Sequence, residues 1–155
     1  MGVRVYSVSP LDVAWSILKQ SQIPEGYRQA AGAIIRDAQG RILLMRRSPK
    51  ETSMHGLYEL PGGKLEEGET PEETARIEAM EESGLPLVNL QPLEPHIDHD
   101  MQKVYHGFVG EIDPEHQGDV VRSEEHDHHE WVHPEDMAQF EHPLSHHAQF
   151  LFGQM

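Results

Sequence analysis

Apolar residues occur in short clusters along the chain, and turn residues separate the clusters. Residues 33–35 and 42–45 are apolar and flank a polar turn at 37–40, so residues 30–47 are predicted to form a β-hairpin. Further on, the side chains of residues 103–112 alternate with period two, which predicts another strand. Strands are therefore expected in both halves of the chain.

An apolar stripe at helical spacing predicts a helix near the N-terminus. The stripe consists of Leu11, Ala14, Ile17 and Leu18. Ser9-Pro10 provides a helix start, and the turn residues at 23–26 end the segment. We therefore expect a helical extension over residues 1–24 and one main domain over residues 25–155. The stripe would pack on the main domain or on a second copy of the chain, so a homodimer is one expected assembly.

The other elements follow from local patterns. They are a loop at 48–60, a tight bend at 61–63, a helix at 71–83, a short strand at 131–132, a short helix at 134–140 and a terminal helix at 144–152. Strands and helices are mixed without regular alternation, which favours an α+β sandwich over a doubly wound sheet.

Composition narrows the functional classes. The 155 residues include no cysteine, which excludes disulfides and cysteine nucleophiles and fits a cytoplasmic location. The net charge of -15 argues against binding to a nucleic-acid polymer, because recognition of the backbone depends on surplus lysine and arginine. No apolar run is long enough for a membrane span, so we expect no membrane partner.

The helix predicted at 71–83 has clear local boundaries and an unusual acidic face. Thr70 and Glu73 form a capping box, and Gly84 is placed to end the helix in a left-handed conformation. Three glutamates at positions i, i+3 and i+4 lie on one face within ~6 Å of each other. They are Glu78, Glu81 and Glu82. Such a face is either solvated or neutralised by a cation, and Mg²⁺ is the type of ion that takes oxygen ligands. The Gly62-Gly63 bend allows a backbone carbonyl to approach that cation.

At this point the chain resembles the Nudix hydrolase family. The residues that match the family's motif at the correct spacing are Gly63, Glu69, Glu78, Ala79, Glu81, Glu82, Gly84 and Leu85. Residues 56–62 are similar to the usual lead-in, and the likeness extends over roughly residues 28–140. One position departs from the pattern. The family's arginine is replaced by Ile77, and Arg76 is displaced by one place, which rotates its side chain by about 100° on a helix.

The resemblance implies a fold, an activity and a set of ligands. The implied fold is an α/β/α sandwich with a mixed β-sheet. The implied activity is hydrolysis of the pyrophosphate bond of a nucleoside diphosphate linked to another moiety, such as ADP-ribose or a (d)NTP, with Mg²⁺ or Mn²⁺. The implied metal ligands are Glu78, Glu81 and Glu82, aided by the Gly62 carbonyl. Glu69 belongs to the implied catalytic carboxylates, and a helix glutamate or a loop carboxylate would act as the general base.

Family members often add a glutamate from the loop before a Trp-containing strand. Glu125, six residues ahead of Trp131, is the residue we predict for that role, with Glu124 and Glu130 as alternatives. A solvated acidic loop is the other interpretation of this segment.

Four residues are expected to contact the substrate: Arg46, Arg47, Tyr58 and Gly63. The two arginines could reach the phosphates, or they could be ordinary surface residues. Tyr58 could stack on a base, although an aromatic residue is more often part of the core. Histidines 126, 128 and 129 surround Asp127, which predicts a solvent-facing loop and also raises the alternative of a transition-metal site.

The substrate and one competing function stay open at the sequence level. Replacement of the arginine by Ile77 favours a nucleotide-binding sensor or regulator that does not cleave, whereas the three intact glutamates favour the enzyme. The lack of cysteine argues strongly against an isoprenoid diphosphate isomerase on the same fold, because that chemistry resembles a cysteine-dependent proton transfer. The oxidised-guanine triphosphatases typically carry an asparagine before the terminal helix, and this chain has Glu141-His142-Pro143 there, so that activity is not predicted.

Overall fold

A mixed β-sheet forms the centre of the computed structural model, which describes residues 23–51 and 55–153. The strands in these two ranges are β1 (Arg28–Arg36), β2 (Ile42–Arg47), β3 (Tyr58–Glu59), β4 (Gly62–Lys64), β5 (Leu87–Pro92), β6 (His96–Asp98), β7 (Lys103–Ile112) and β8 (His126–Val132). The helices are α1 (Pro71–Ser83), a short 3-10 helix (Pro134–Gln139) and α2 (His146–Phe152). None of these helices combines the length and the apolar character needed to cross a membrane.

Strand β1 is the central strand, and its neighbours run in both directions. It pairs in parallel with β7 over its whole length, from Arg28 opposite Lys103 to Arg36 opposite Glu111. It pairs antiparallel with β2 at the hairpin turn and with β4 at its other end. Strand β8 adds to the outer edge of β2. A strand with neighbours on both edges and layers on both faces is buried throughout, which explains why residues 30–35 form a continuous apolar run.

The two faces of the sheet carry different helices. Ala33, Ile35, Leu43 and Met45 project to the face that packs on Ala79 of α1. The intervening side chains project to the opposite face, where they pack on α2. They are Ala30, Ile34, Ile42 and Leu44, and the residues of α2 are Ala148 and Leu151. This alternation confirms the α/β/α sandwich with a mixed sheet.

Several predicted elements are confirmed and others are corrected. The hairpin, the helix at 71–83 and the strand at 103–112 occupy the expected residues. The predicted bend at 61–63 is confined to Pro61, because Gly62–Lys64 is strand β4 on the edge of β1. The terminal helix begins at His146 with Ser145 as its cap, two residues later than expected. The predicted N-terminal helix lies outside the described residues.

The prediction of a solvent-facing loop at 126–129 is also wrong. These residues begin β8 and pair with residues 45–47 of β2, and His126 is buried. Their polar sequence gives no local indication of a strand, so the pairing with β2 determines the conformation. Strands β5 and β6 were missed for a similar reason, since prolines border both segments and left-handed Asn89 interrupts β5.

A stack of rings lies between α2 and the sheet. His147 stacks on Tyr105 with centroids 4.1 Å apart, and His96 stacks on Phe150 at 4.3 Å. The Nδ1 atoms of both histidines are buried and have no hydrogen-bond partner among the described residues. Burial lowers the pKa of His147 to about 4, and the nearby charges of Lys103, His96 and His146 lower it further, while Asp98 raises it. The neutral imidazole is therefore the form that fits this stack.

Acidification is expected to destabilise the metal-free protein through His147. Its folded-state pKa of about 4 lies below the ordinary value of 6.5, so the unfolded chain binds the proton more tightly between these two pH values. The contribution of His147 to stability is fully present above pH 6.5 and declines as the pH falls toward about 4. At about pH 5 we expect a loss of about 1 kcal/mol, reduced from the full linkage value because the ring is partly exposed.

Urea unfolding at about pH 7.5 and about pH 5 measures this effect. His147→Phe keeps a stacked ring and removes the ionisable nitrogen, so it should reduce the pH dependence. His55→Gln changes an exposed histidine and serves as the control. An equal pH dependence in His147→Phe and in the wild type would assign the acid sensitivity to other groups.

Candidate active site

Helix α1 carries the acidic face, and both of its ends are fixed locally as expected. The Thr70 hydroxyl accepts from the Glu73 amide at 3.2 Å, and the Glu73 carboxylate accepts from the Thr70 amide at 3.1 Å. Gly84 ends the helix at φ 72°, in the left-handed region that glycine adopts without strain. The caps set the ends of α1, and the packing of Ala75 and Ala79 on the sheet turns Glu82 inward and leaves Glu81 exposed.

Glu82 is the innermost carboxylate, with 3% of its surface exposed. Its Oε2 accepts a hydrogen bond from the amide of Gly62 at 2.7 Å, which joins α1 to β4. Burial raises the pKa of Glu82 to about 10, and a hydrogen bond with Glu125 and the charges of Glu125 and Glu78 act in the same direction. Without a cation, this site holds a proton on Glu82.

Glu78 packs directly on the backbone of Gly63. A Cβ atom at position 63 would lie 2.6 Å from both Cδ and Oε1 of Glu78, a separation that only a glycine avoids. Burial raises the pKa of Glu78 to about 7, and the charges of Glu81, Glu125, Glu69 and Glu66 raise it further. Gly63 therefore leaves room for the carboxylate of Glu78, which packs on its backbone.

Glu125 is the loop glutamate that reaches α1. One carboxylate oxygen from each of Glu82 and Glu125 and one ring nitrogen of His126 lie within 4.8 Å of one another. Glu124 is exposed and is not part of this group, and Glu130 lies 3.6 Å from the exposed His128. Of the three loop glutamates considered from sequence, the structure brings Glu125 to the buried carboxylate.

Glu69 is held without the family's arginine. Its Oε1 accepts hydrogen bonds from the Thr74 hydroxyl at 2.8 Å and from the Glu66 amide at 3.1 Å. Ile77 is 40% exposed. Arg76 donates to the Leu87 carbonyl and to the exposed carboxylate of Glu72. Arg76 does not replace the missing arginine, and Thr74 supplies the contact to Glu69.

Removing the Thr74 hydroxyl is therefore expected to reduce activity. Thr74→Val keeps the buried shape but leaves Glu69 with the Glu66 amide alone, and we expect kcat to fall by about tenfold. Ile77→Arg should raise the rate of this variant more than that of the wild type, because only the variant lacks an anchor. Steady-state kinetics of the four proteins measure the coupling. Equal effects of Ile77→Arg in both backgrounds would show that Thr74 does not take the arginine's place.

The predicted substrate contacts fall into different environments. The side chain of Arg46 is partly exposed, and its Nε donates to Asp127 at 2.8 Å. Arg47 contacts Glu51 and Glu59, both at 3.5 Å. Tyr58 is only 2% exposed and its ring packs on Phe140 with centroids 5.2 Å apart, which favours the core interpretation of this residue over base stacking.

These residues fit a divalent cation by the chemistry of their donors. Six carboxylates contribute to the raised pKa values of Glu78 and Glu82, and no lysine or arginine is among the largest causes of the two shifts. A bound cation would remove the repulsion and displace the proton from Glu82. Glu78, Glu82 and Glu125 are the groups that would hold it, with the exposed Glu81 at the rim.

Comparisons with known proteins agree with this arrangement. A family model described as the NUDIX domain matches residues 26–151. The chain is 36% identical over 64 residues to an 8-oxo-dGTP diphosphatase of Proteus vulgaris, which covers 41% of this chain and 56% of that protein. It is 33% identical over 122 residues to an octanoyltransferase of Myxococcus xanthus, which covers 70% of this chain and 31% of that protein. The chain thus spans less than two thirds of the length of these curated relatives.

A solved structure shows the same fold over most of the chain. A MutT NUDIX hydrolase from Burkholderia pseudomallei superimposes with a TM-score of 0.65 at 29% identity, covering 83% of this chain and 97% of that one. Together with the family match over residues 26–151, this shows that the chain belongs to the NUDIX domain family.

Proposed function

We propose that this protein is a hydrolase that uses Mg²⁺ or Mn²⁺ to cleave the pyrophosphate bond of a small nucleoside diphosphate derivative. The observation that carries the proposal is the meeting of Glu82 from α1 with Glu125 from the loop before β8, beside Glu78 on Gly63. Two segments far apart in sequence contribute carboxylates to one half-buried group, which a merely solvated acidic helix would not require.

Each residue has a defined part in the proposed chemistry. When bound, the cation would neutralise the bridging phosphates and lower the pKa of a coordinated water. Glu82, fixed by the Gly62 amide, would be its innermost ligand. Glu78, packed on the Gly63 backbone, would be a further ligand or would accept a proton from the coordinated water as the general base. Glu69, which precedes the N-cap residue Thr70 and is oriented by the Thr74 hydroxyl, would position a second ligand or the water.

The substrate classes that we propose are nucleoside triphosphates and nucleotide sugars such as ADP-ribose. Arg46, near the end of β2 with a side chain that is 40% exposed, would contact the phosphates after exchanging its bond with Asp127. The relative from Proteus vulgaris is described as acting on 8-oxo-dGTP, which makes oxidised triphosphates part of the range to be tested. The exposed segment Glu141-His142-Pro143 argues against recognition of the oxidised base, because it contains no asparagine.

A substrate panel with Mg²⁺ and with Mn²⁺ tests the proposal. The panel contains the common (d)NTPs, 8-oxo-dGTP, ADP-ribose and other nucleotide sugars. We expect a nucleoside monophosphate as product, with oxygen from solvent in one of the two phosphate-containing products. Release of inorganic phosphate alone would point to a different bond being cleaved.

The competing function is a sensor that binds nucleotide without cleaving it. Ile77 was its support from sequence, and the Thr74–Glu69 hydrogen bond weakens that support because Glu69 keeps an anchor. Binding of a panel member, measured by calorimetry, without any product after prolonged incubation with either metal would favour the sensor and overturn the hydrolase.

A further inference from the structure

The group formed by Glu82, Glu125 and His126 contains a nitrogen donor as well as two carboxylates. Within the described ranges it is the one set of three histidine, aspartate, glutamate or cysteine side chains whose donor atoms lie within 4.8 Å of one another. The helix glutamates Glu78 and Glu81 are not members of it. The most closely grouped donors in the site are therefore chemically mixed, which the acidic motif by itself does not predict.

The imidazole of His126 is completely buried, and its two nitrogens have different environments. Nε2 lies 2.7 Å from Oε1 of Glu59, and the side chain of His126 is 0% exposed. Nδ1 has no hydrogen-bond partner among the residues that the structure describes. A buried polar atom without a partner is costly, so a second interaction for Nδ1 is expected.

The contact with Glu59 determines which nitrogen carries the proton. A carboxylate can only accept, so Nε2–H of His126 donates to Glu59, and the lone pair of the neutral ring is on Nδ1. Glu59 is itself in contact with Arg47 at 3.5 Å, which keeps the carboxylate in place. A histidine that donates one N–H to a carboxylate and presents its other nitrogen is the usual arrangement of a metal-ligating imidazole.

We propose that Nδ1 of His126 is a ligand of the cation held by Glu82 and Glu125. This inference rests on the proposed function only in that both use the same cation. Nitrogen ligation favours transition metals over Mg²⁺, which prefers an all-oxygen shell. The site is therefore selective for Mn²⁺ and Co²⁺ over Mg²⁺, with Glu59 as the residue that orients the imidazole.

Pulsed EPR of Mn²⁺ bound to the full chain tests this directly, without reference to turnover. With less than one equivalent of Mn²⁺, the wild type should show ¹⁴N modulation from a coordinated imidazole. Labelling with ¹⁵N-histidine should shift those frequencies, which identifies the nitrogen as histidine without any substitution. His126→Gln should abolish the modulation, whereas His128→Gln, which alters an exposed histidine of the same strand, should retain it.

Calorimetric titration with each metal gives the second measurement. We expect His126→Gln to weaken Co²⁺ and Mn²⁺ binding by about tenfold to a hundredfold and to change Mg²⁺ binding by less than about threefold. His128→Gln should leave all three affinities unchanged. Thermal unfolding of the metal-free variants checks that His126→Gln is folded. If it is not, the ¹⁵N experiment on the wild type shows whether a histidine is coordinated, and among the described residues His126 is the histidine grouped with the two carboxylates.

The two proposals fail in different ways. Mn²⁺ bound tightly without nitrogen modulation in the wild type would overturn His126 as a ligand, even if the protein hydrolyses nucleotides rapidly. Nitrogen modulation that is lost in His126→Gln supports the ligand, even if no substrate of the panel is cleaved. Modulation that persists in His126→Gln and disappears in His128→Gln would also overturn the assignment.

Discussion

Glu82→Gln is expected to reduce turnover by about a hundredfold or more while making the metal-free protein more stable. In the absence of a cation the pKa of Glu82 is about 10, so the buried side chain is protonated at neutral pH. An amide has the shape of that neutral acid, and its oxygen can still accept from the Gly62 amide. The amide cannot take the charge that cation binding requires, so activity is lost and stability is not.

The sign of the stability effect follows from linkage. The folded-state pKa of Glu82 lies above the ordinary value of 4.5, so the folded wild type holds a proton that the unfolded chain releases. The metal-free wild type therefore loses stability as the pH rises from 4.5 toward 10. Glutamine does not titrate, so the gain in unfolding midpoint over the wild type should increase with pH.

Kinetics with the best substrate of the panel measure the loss of turnover. Thermal unfolding with and without Mg²⁺ measures the change in stability. Glu72→Gln, on the exposed side of the same helix, should change neither. Near-normal turnover in Glu82→Gln would refute Glu82 as a metal ligand. A lower unfolding midpoint of the metal-free variant would show that the buried carboxylate is stabilising in its ionised form.

Gly63→Ala is expected to reduce activity while leaving the stability of the fold nearly unchanged. The added Cβ would overlap the end of the Glu78 side chain, at 2.6 Å from Cδ. The flexible carboxylate can move away more easily than the backbone of β4, so the strand should persist while Glu78 is displaced. A displacement of about 1 Å in a reacting group costs about a hundredfold in rate, and we expect a loss of that order in kcat/KM. The free energy of unfolding should change by less than about 1 kcal/mol.

A double variant makes this prediction specific. Glu78→Asp shortens the side chain and creates room for the new methyl group, so the effects of Gly63→Ala and Glu78→Asp on kcat/KM should not add. Gly153→Ala, where the new Cβ would meet the Phe150 carbonyl at 3.3 Å, is the glycine control away from the site. Additive losses at positions 63 and 78 would show that the glycine acts through the backbone of β4 instead.

The features of the site that were predictable from sequence are those set by local rules. The capping box and Gly84 determine where α1 begins and ends, and helical spacing then places three glutamates on one face. Glu125 was predicted from its distance to Trp131 in the family pattern. In each case the prediction depends on residues close in sequence to the side chain concerned, so it requires no knowledge of the fold.

The features that the sequence did not reveal depend on long-range pairing. The side chain of His126 is buried because β8 adds to β2, and the sequence of β8 has no apolar periodicity that predicts a strand. Strand β4 consists of two glycines and a lysine, whose extended conformation comes from its neighbour β1. The spacing of Thr74 and Glu69 is compatible with their contact, but the sequence does not show that Thr74 takes the place of the missing arginine. The neighbouring Arg76 does not take that place either, because its side chain turns toward β5.

The parallel pairing of β1 with β7 has a consequence for the order of folding. Arg28 lies beside Lys103 and Arg36 beside Glu111, so the middle of the sheet joins parts of the chain that are synthesised far apart in time. Until Ile112 has left the ribosome, one edge of β1 has no partner and the hairpin with β2 has little to stabilise it. Glu125 and His126 emerge later still. A cation held by Glu82 and Glu125 would therefore bind only after most of the domain has been synthesised, and it would help to retain the native state and not to start its formation.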